Sequence, residues 1–172
     1  MDYRIEAMEV LLCEDCILQR YFPLIPYKAQ LLKNLIENHC LTKTACLQLS
    51  DELLIEMGLP TVELANLFRQ FLVMYDAKEA KLKEIDKVAA NEAEAAAFRE
   101  LYLLPGVKAV RAKLYCDSGY TSLSKIAAAL PEQIIQNTSA LILSQNLPLK
   151  PPLPKEVRTH IAVAKALTLY AV

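Results

Sequence analysis

The chain has 172 residues, 54% of them hydrophobic, and its 19 basic and 20 acidic side chains give a net charge of −1. This length suits one domain or two small ones, and the apolar content is ample for a packed core. Three glycines leave little room for a glycine-rich phosphate loop, and no apolar run of about 18 residues is present to span a membrane.

The residue pattern predicts an all-α fold. Leucine and alanine outnumber valine and isoleucine, and no stretch alternates apolar and polar residues as a strand does. The first residues are acidic and amphipathic, whereas a signal peptide is basic and then apolar. We therefore expect a cytoplasmic protein with no membrane partner, in which the five cysteines stay reduced.

Residues 1–75 are predicted to form a series of helices. An amphipathic helix runs from Ile5 to Phe22, where Pro23 ends it, and Pro26 opens a second helix that reaches about Asn38. The helices that follow have recognisable start and stop residues. Thr42, Ser50 and Thr61 are placed as N-caps, and Gly58 is placed as a C-terminal stop.

Residues 76–100 are predicted to be a helical connector. The segment is rich in alanine, lysine and glutamate, has no glycine or proline, and holds pairs such as Glu79 and Lys83 at i,i+4 spacing. We interpret it as a solvated spacer, either continuous with the preceding helix or broken near Asn91.

Residues 101–172 repeat the order of punctuating residues in residues 1–75. Leu24-Ile25-Pro26 aligns with Leu103-Leu104-Pro105 at an offset of 79, and the same offset pairs Thr42 with Thr121. One inserted residue then lets Asp51 meet Pro131. We therefore predict two diverged helical repeats on either side of the connector.

Charge and proline content distinguish the second repeat. Residues 1–75 carry six basic and ten acidic side chains, residues 76–100 five and seven, and residues 101–172 eight and three. The basic balance of the last segment favours an anionic partner. Its loop Leu147–Pro154 holds four prolines and must be extended, either as a stiff connector or as a recognition element.

The run Leu104-Pro105-Gly106-Val107 is the clearest motif, and it is followed by a helix that ends at Ser118-Gly119. Thr121 is then placed as the N-cap of the next helix. Residues 99–135 resemble the helix-hairpin-helix family, whose hairpin has the form Leu-Pro-Gly-hydrophobic-Gly. Through the internal repeat, residues 20–57 resemble a degenerate second copy. The resemblance implies a tandem helix-hairpin-helix-like architecture.

The resemblance also implies contact with the DNA or RNA phosphate backbone, without sequence reading, through the turn and the start of the next helix. Gly106 would let the phosphate approach the main chain. The cations implied for the same interface are Lys108, Arg111, Lys113 and Lys125.

Two departures from the family motif leave an alternative open. Lys108 stands where the family has its second hairpin glycine, and Tyr27 replaces the first glycine in the degenerate copy. The alternative is a helical scaffold that binds a protein partner or a second copy of itself, with hairpins that serve packing alone.

The remaining candidate residues do not predict chemistry. Cys13 and Cys16 form a C-x-x-C pair that could take zinc together with His39 and Cys46, but we place the pair inside a continuous helix and expect no metal. No nucleophile motif appears, and the two histidines are isolated. We expect a binding module that is not an enzyme and needs no small-molecule cofactor.

Overall fold

The computed structural model describes residues 1–76 and 78–172, and helices form most of them. No strand occurs among the described residues, so the predicted all-α class is confirmed. The chain divides into two compact units. The first comprises residues 1–76 and 169–172, and the second comprises residues 78–168. No helix in the described part of the chain has both the length and the apolar character to cross a membrane.

The first unit contains five α-helices and a 3-10 helix among its described residues. Their bounds are α1 Ile5–Leu11, the 3-10 helix Gln19–Tyr27, α2 Lys28–Glu37, α3 Lys43–Leu47, α4 Asp51–Glu56 and α5 Val62–Leu72. Three of them start at the predicted caps, because Thr42, Ser50 and Thr61 each accept a hydrogen bond from the backbone N–H three residues later. Gly58 ends α4 with a φ of +113°, as predicted.

The predicted first helix is too long. It ends at Leu11, and residues 12–17 form turns before Leu18 adopts an extended conformation. Leu11, Leu12, Cys16 and Ile17 are all buried. A continuous helix would spread these four side chains over more than one face, so the turns let all of them reach the core.

The core of the first unit is built around α5. Phe68 and Phe71 are fully buried, and the Phe71 ring meets the Tyr21 ring edge-on at a centroid distance of 6.1 Å. A fully buried phenylalanine contributes about 1.5–3 kcal/mol through the hydrophobic effect. The chain ends pack onto this core, since the Arg4 N–H donates to the Tyr170 carbonyl at 2.8 Å.

A buried lysine joins three segments of the first unit. The Lys43 ammonium lies 2.5 and 2.7 Å from the two carboxylate oxygens of Asp76 and donates to the Met1 carbonyl at 2.9 Å. Lys43 is only 5% exposed. Its charge is therefore compensated by a carboxylate and a carbonyl, as a buried cation requires.

The second unit is made of six helices among the described residues. They are α6 Glu79–Val88, α7 Glu92–Leu101, α8 Ala109–Asp117, α9 Leu123–Ala128, α10 Pro131–Ser144 and α11 Pro154–Leu169, whose last residue belongs to the first unit. The proline-rich loop Leu147–Pro154 has no regular structure before α11 begins.

The segment predicted as a connector is part of the second unit from residue 78 onward; Ala77 lies outside the described residues. It is broken at Asn91, whose side chain accepts from the Glu94 N–H at 2.9 Å and caps α7. The expectation of a solvated spacer is wrong for α7, which buries Phe98 and Leu101. Alanines on its inner face allow close packing. An alanine-rich composition fits both a packed helix and a solvated helix, so the sequence does not distinguish the two.

The predicted cap at Thr121 is one residue early. Ser122 is the N-cap of α9 and accepts from the Lys125 N–H at 3.2 Å, whereas the Thr121 hydroxyl accepts from the Lys125 ammonium at 3.1 Å. Gly119 ends α8 with a φ of +94°. Two adjacent hydroxyl residues follow this glycine, and the conformation of the turn decides which one becomes the cap.

Candidate functional site

The hairpin turn lies between α7 and α8 and is formed by Pro105, Gly106 and Val107. The Val107 N–H donates to the Leu104 carbonyl at 3.2 Å and closes the turn. Leu104 and Val107 are buried and attach it to the core, whereas Gly106 is exposed. Gly106 has a φ of +74°, and a Cβ atom placed on it would meet nothing within 4 Å. Glycine is therefore favoured here by backbone conformation, and the space in front of it is open.

A buried histidine supports the turn from behind. His160 of α11 lies with Nε2 2.9 Å from the Pro105 carbonyl oxygen and Nδ1 2.7 Å from the Tyr115 hydroxyl. A carbonyl only accepts, so Nε2 carries the proton and Nδ1 accepts from Tyr115 in the neutral ring. Burial lowers the pKa of His160, which favours this neutral form.

The N-terminus of α8 follows the turn and has no side-chain cap. Lys108 is the N-cap residue, with φ −129° and ψ −177°, and its side chain accepts no hydrogen bond from the helix. Lysine has no acceptor atom, so it cannot replace the serine or threonine usual at this position. The first N–H groups of α8 therefore have no side-chain acceptor and keep their partial positive charge. The exposed Lys108 side chain adds a full positive charge beside them.

Two of the predicted cations are held in ion pairs within the unit. The Arg111 Nε atom lies 3.0 Å from Glu156 Oε1. Lys113 lies 2.6 Å from Glu94 and 3.1 Å from Asp117. The hydrogen bond between Lys113 and Glu94 raises the pKa of the lysine and lowers that of the carboxyl. These acids offset part of the positive charge that the sequence places near the turn.

Lys125 lies in α9 and its ammonium bonds to the Thr121 hydroxyl. The cavity beside the turn has Gly106, Lys108 and Arg111 in its lining but neither Lys113 nor Lys125. The structure thus brings three of the five predicted residues to one cavity.

This cavity has a volume of about 410 Å³ and includes residues that the sequence analysis did not select. It is lined by Gly106, Lys108, Val110, Arg111, Leu114, Leu149, Lys150 and Glu156. Lys150 comes from the proline-rich loop, and the Arg111 guanidinium donates to its carbonyl at 3.4 Å. The four prolines indicated an extended segment, but nothing local to the sequence places that segment against α8.

The cysteine cluster considered for zinc is not assembled. Cys13 and Cys16 lie in a turn, where the Cys16 N–H donates to the Cys13 carbonyl at 3.0 Å, and not in the predicted helix. Burial, with the neighbouring Cys13 thiol, raises the pKa of Cys16 to about 12. His39 is exposed and Cys46 is buried. Among residues 1–76 and 78–172, no three histidine, cysteine, aspartate or glutamate side chains lie together as a metal ion needs.

Compared with protein-family models, with curated proteins and with solved structures, the chain matches none of them.

Proposed function

We propose that the chain is a binding module, not an enzyme, and that its second unit contacts the phosphate backbone of DNA or RNA through the turn Pro105–Lys108. The observation that carries this proposal is the exposed, left-handed Gly106, two residues before the N-cap of α8, a helix with no side-chain cap. Main-chain N–H groups at a helix start bind a phosphate oxygen without reading the base sequence.

The charge of the second unit supports an anionic ligand. Residues 78–168 carry 13 basic and 9 acidic side chains, a net of +4, whereas the first unit carries 6 and 11, a net of −5. Lys108 and Lys150 are both exposed at the cavity beside the turn. A cationic second unit attracts a polyanion, and the acidic first unit limits where it can bind.

We further propose that the two units are diverged copies of one helix-hairpin-helix-like repeat. Equivalent helix ends support this at an offset of 80, one more than the sequence alignment uses. The last residues of α2 and α8 are Glu37 and Asp117, and the caps of α3 and α9 are Thr42 and Ser122. The extra residue in the second copy then falls near the hairpin, where Gly106 makes its turn.

We expect the module to act in the cytosol, because its five cysteines are free thiols and reducing conditions keep them so.

Fluorescence anisotropy with the full chain and a labelled duplex of about 20 base pairs tests the proposal. Two or three phosphate contacts predict that affinity falls about 10- to 40-fold between about 50 and 200 mM salt. Absence of binding at the lower salt concentration would refute it.

Two variants and one control locate the interface. Lys108→Glu is expected to weaken binding about tenfold, while Lys87→Glu, an exposed lysine of α6 with the same charge change, should stay within about twofold. Gly106→Asn keeps the left-handed conformation accessible but places a side chain in front of the turn. Gly106→Asn should weaken binding without unfolding the protein. Equal effects of Lys108→Glu and Lys87→Glu would show that the interface lies on another surface.

A second candidate function is a protein-binding scaffold. It is favoured by aliphatic side chains that stay in solvent on the second unit, among them Val110 at 61%, Leu153 at 69% and Leu143 at 80% exposure. Sedimentation of the chain over a wide concentration range tests self-association. A constant monomer mass would contradict a homo-oligomer.

A further inference from the structure

A groove on the first unit lies between α1 and α2. Its volume is about 490 Å³. The Lys28 ammonium, at the start of α2, donates to the Glu9 main-chain carbonyl near the end of α1. At the other end, the Ile5 N–H donates to the Leu41 carbonyl beyond α2 at 3.0 Å. The two helices therefore run antiparallel and form the two walls of the groove.

The floor of the groove is aliphatic and follows one stripe of α2. Ala29, Leu32 and Ile36 recur at positions i, i+3 and i+7, which places them on one helix face. Leu32 and Ile5 of α1 are buried, whereas Ile36 remains 50% exposed on the floor. Ala29 at one end lets another main chain approach closely. The stripe extends over about two helical turns, the length that a docked helix contacts through its own i, i+3 or i+4, and i+7 side chains.

The walls of the groove carry a net charge of −1, from Glu6, Glu9 and Glu37 against Lys28 and Lys33. Lys33 pairs with Glu37 along α2, and Lys28 is held by the Glu9 carbonyl. The side chains of Glu6 and Glu9 are exposed and make no ion pair with any described residue. Both carboxylates are therefore available to cations on a ligand.

We propose that this groove binds an amphipathic α-helix of a partner protein, with aliphatic side chains on the floor and a row of lysine or arginine beside Glu6 and Glu9. The aliphatic stripe supplies affinity, and the carboxylates select a basic over an acidic helix. The net charge of −5 on the first unit acts in the same direction. The interaction does not require the hairpin turn of the second unit.

Two synthetic helical peptides of about 18 residues test the charge preference. Both carry leucine at spacings of three and four residues. The remaining positions are lysine in one peptide and glutamate in the other. Calorimetric titration into the full chain is expected to show the lysine peptide binding at least about tenfold more tightly. Chemical-shift changes in NMR spectra should centre on Ala29, Leu32 and Ile36.

Variants separate the groove from the rest of the acidic surface. Ile36→Glu is expected to weaken the lysine peptide about tenfold or more, whereas Leu53→Glu, a similarly exposed aliphatic residue outside the groove, should leave it unchanged. Replacing Glu6 and Glu9 by glutamine should reduce the preference for the lysine peptide. The same replacement at Glu56 and Glu63 is the control with equal charge change.

Three results would overturn the proposal. Chemical-shift changes centred outside the groove would show that the peptide binds elsewhere. Equal affinity for the two peptides would show that the groove does not select a basic helix. A concentration-dependent dimer of the chain alone that Ile36→Glu abolishes would make a second copy the occupant. Circular dichroism of Ile36→Glu verifies that its fold is intact, and Ile36→Ser provides the milder change if it is not.

Discussion

His160 Nε2 donates to the carbonyl oxygen of Pro105 over 2.9 Å, and this bond ties α11 to the hairpin turn one residue before Gly106. The other ring nitrogen accepts from Tyr115 of α8. One buried imidazole therefore satisfies a carbonyl of the turn and a hydroxyl of the helix that follows it. The position of the turn relative to α8 is fixed through the interior of the second unit.

Replacement of His160 by phenylalanine is expected to lower the free energy of unfolding by about 2–4 kcal/mol. The ring volume is kept, but the Pro105 carbonyl and the Tyr115 hydroxyl both lose a buried partner, at about 1–3 kcal/mol each, with partial relaxation. Urea denaturation measures the change. Tyr115→Phe removes one of the two bonds and should cost less than His160→Phe; the reverse order would contradict the bridging role.

The same histidine predicts a pH dependence of stability. Its folded pKa lies below the usual value of 6.5, so the unfolded chain binds the proton more readily. As pH falls below about 6.5, the wild-type protein should lose stability relative to His160→Phe, by up to about 1.4 kcal/mol per pH unit. Parallel stability curves of the two proteins between about pH 7 and 5 would show that burial does not favour the neutral ring.

The cap of α9 gives a paired prediction for neighbouring residues. Ser122→Ala should cost about 1 kcal/mol of stability because the Lys125 N–H loses its acceptor. Thr121→Ala removes a hydroxyl that bonds only an exposed ammonium and should change stability by less than about 0.5 kcal/mol. Thermal denaturation of both variants distinguishes the two assignments, and a larger loss in Thr121→Ala would restore the threonine as the cap.

The parts of the fold that depend on neighbouring residues were predictable. Thr42, Ser50 and Thr61 cap helices because a side-chain oxygen reaches an amide three residues along. The end of α1 was not predictable, because the turns after Leu11 make contacts that are distant in sequence, such as the hydrogen bond from the Tyr75 hydroxyl to the Cys16 carbonyl. Burial of α7 likewise depends on tertiary packing and not on its alanine-rich composition.

The candidate site was predictable only in its turn. Gly106 lies in the turn that its motif predicts, and the structure adds that it is exposed with a φ of +74°. The ion pairs of Arg111 with Glu156 and of Lys113 with Glu94 join residues separated by 45 and 19 positions, so no local pattern shows them. Only the pair of Lys113 with Asp117, at i,i+4 spacing, follows from the sequence. His160 was set aside as isolated for the same reason, since its two partners come from other elements.

The buried pair in the first unit predicts an asymmetry between its partners. Asp76→Asn leaves the Lys43 ammonium, whose side chain is 6% exposed, without a counterion and should cost about 2–3 kcal/mol. Lys43→Met keeps the aliphatic volume, and Asp76 remains one-third exposed beside the terminal ammonium at 3.4 Å. Lys43→Met should lower the free energy of unfolding by about 1 kcal/mol or less, because the Asp76 carboxylate stays hydrated. Chemical denaturation of both variants measures the difference, and equal losses would contradict it.

Glu156 is expected to restrain nucleic-acid binding by pairing with Arg111. Its Oε1 lies 3.0 Å from the arginine Nε, and its Oε2 accepts from the Leu153 N–H at 3.2 Å at the start of α11. Glu156→Gln keeps an oxygen for that amide but removes the charge that offsets Arg111, so affinity for a duplex should rise about three- to tenfold at low salt. Glu132→Gln, an exposed acid in the first turn of α10, makes the same change in net charge elsewhere on the unit. If both variants raise the affinity equally, the gain comes from net charge alone, and a loss of affinity in Glu156→Gln would mean that the pair holds the turn in its binding shape.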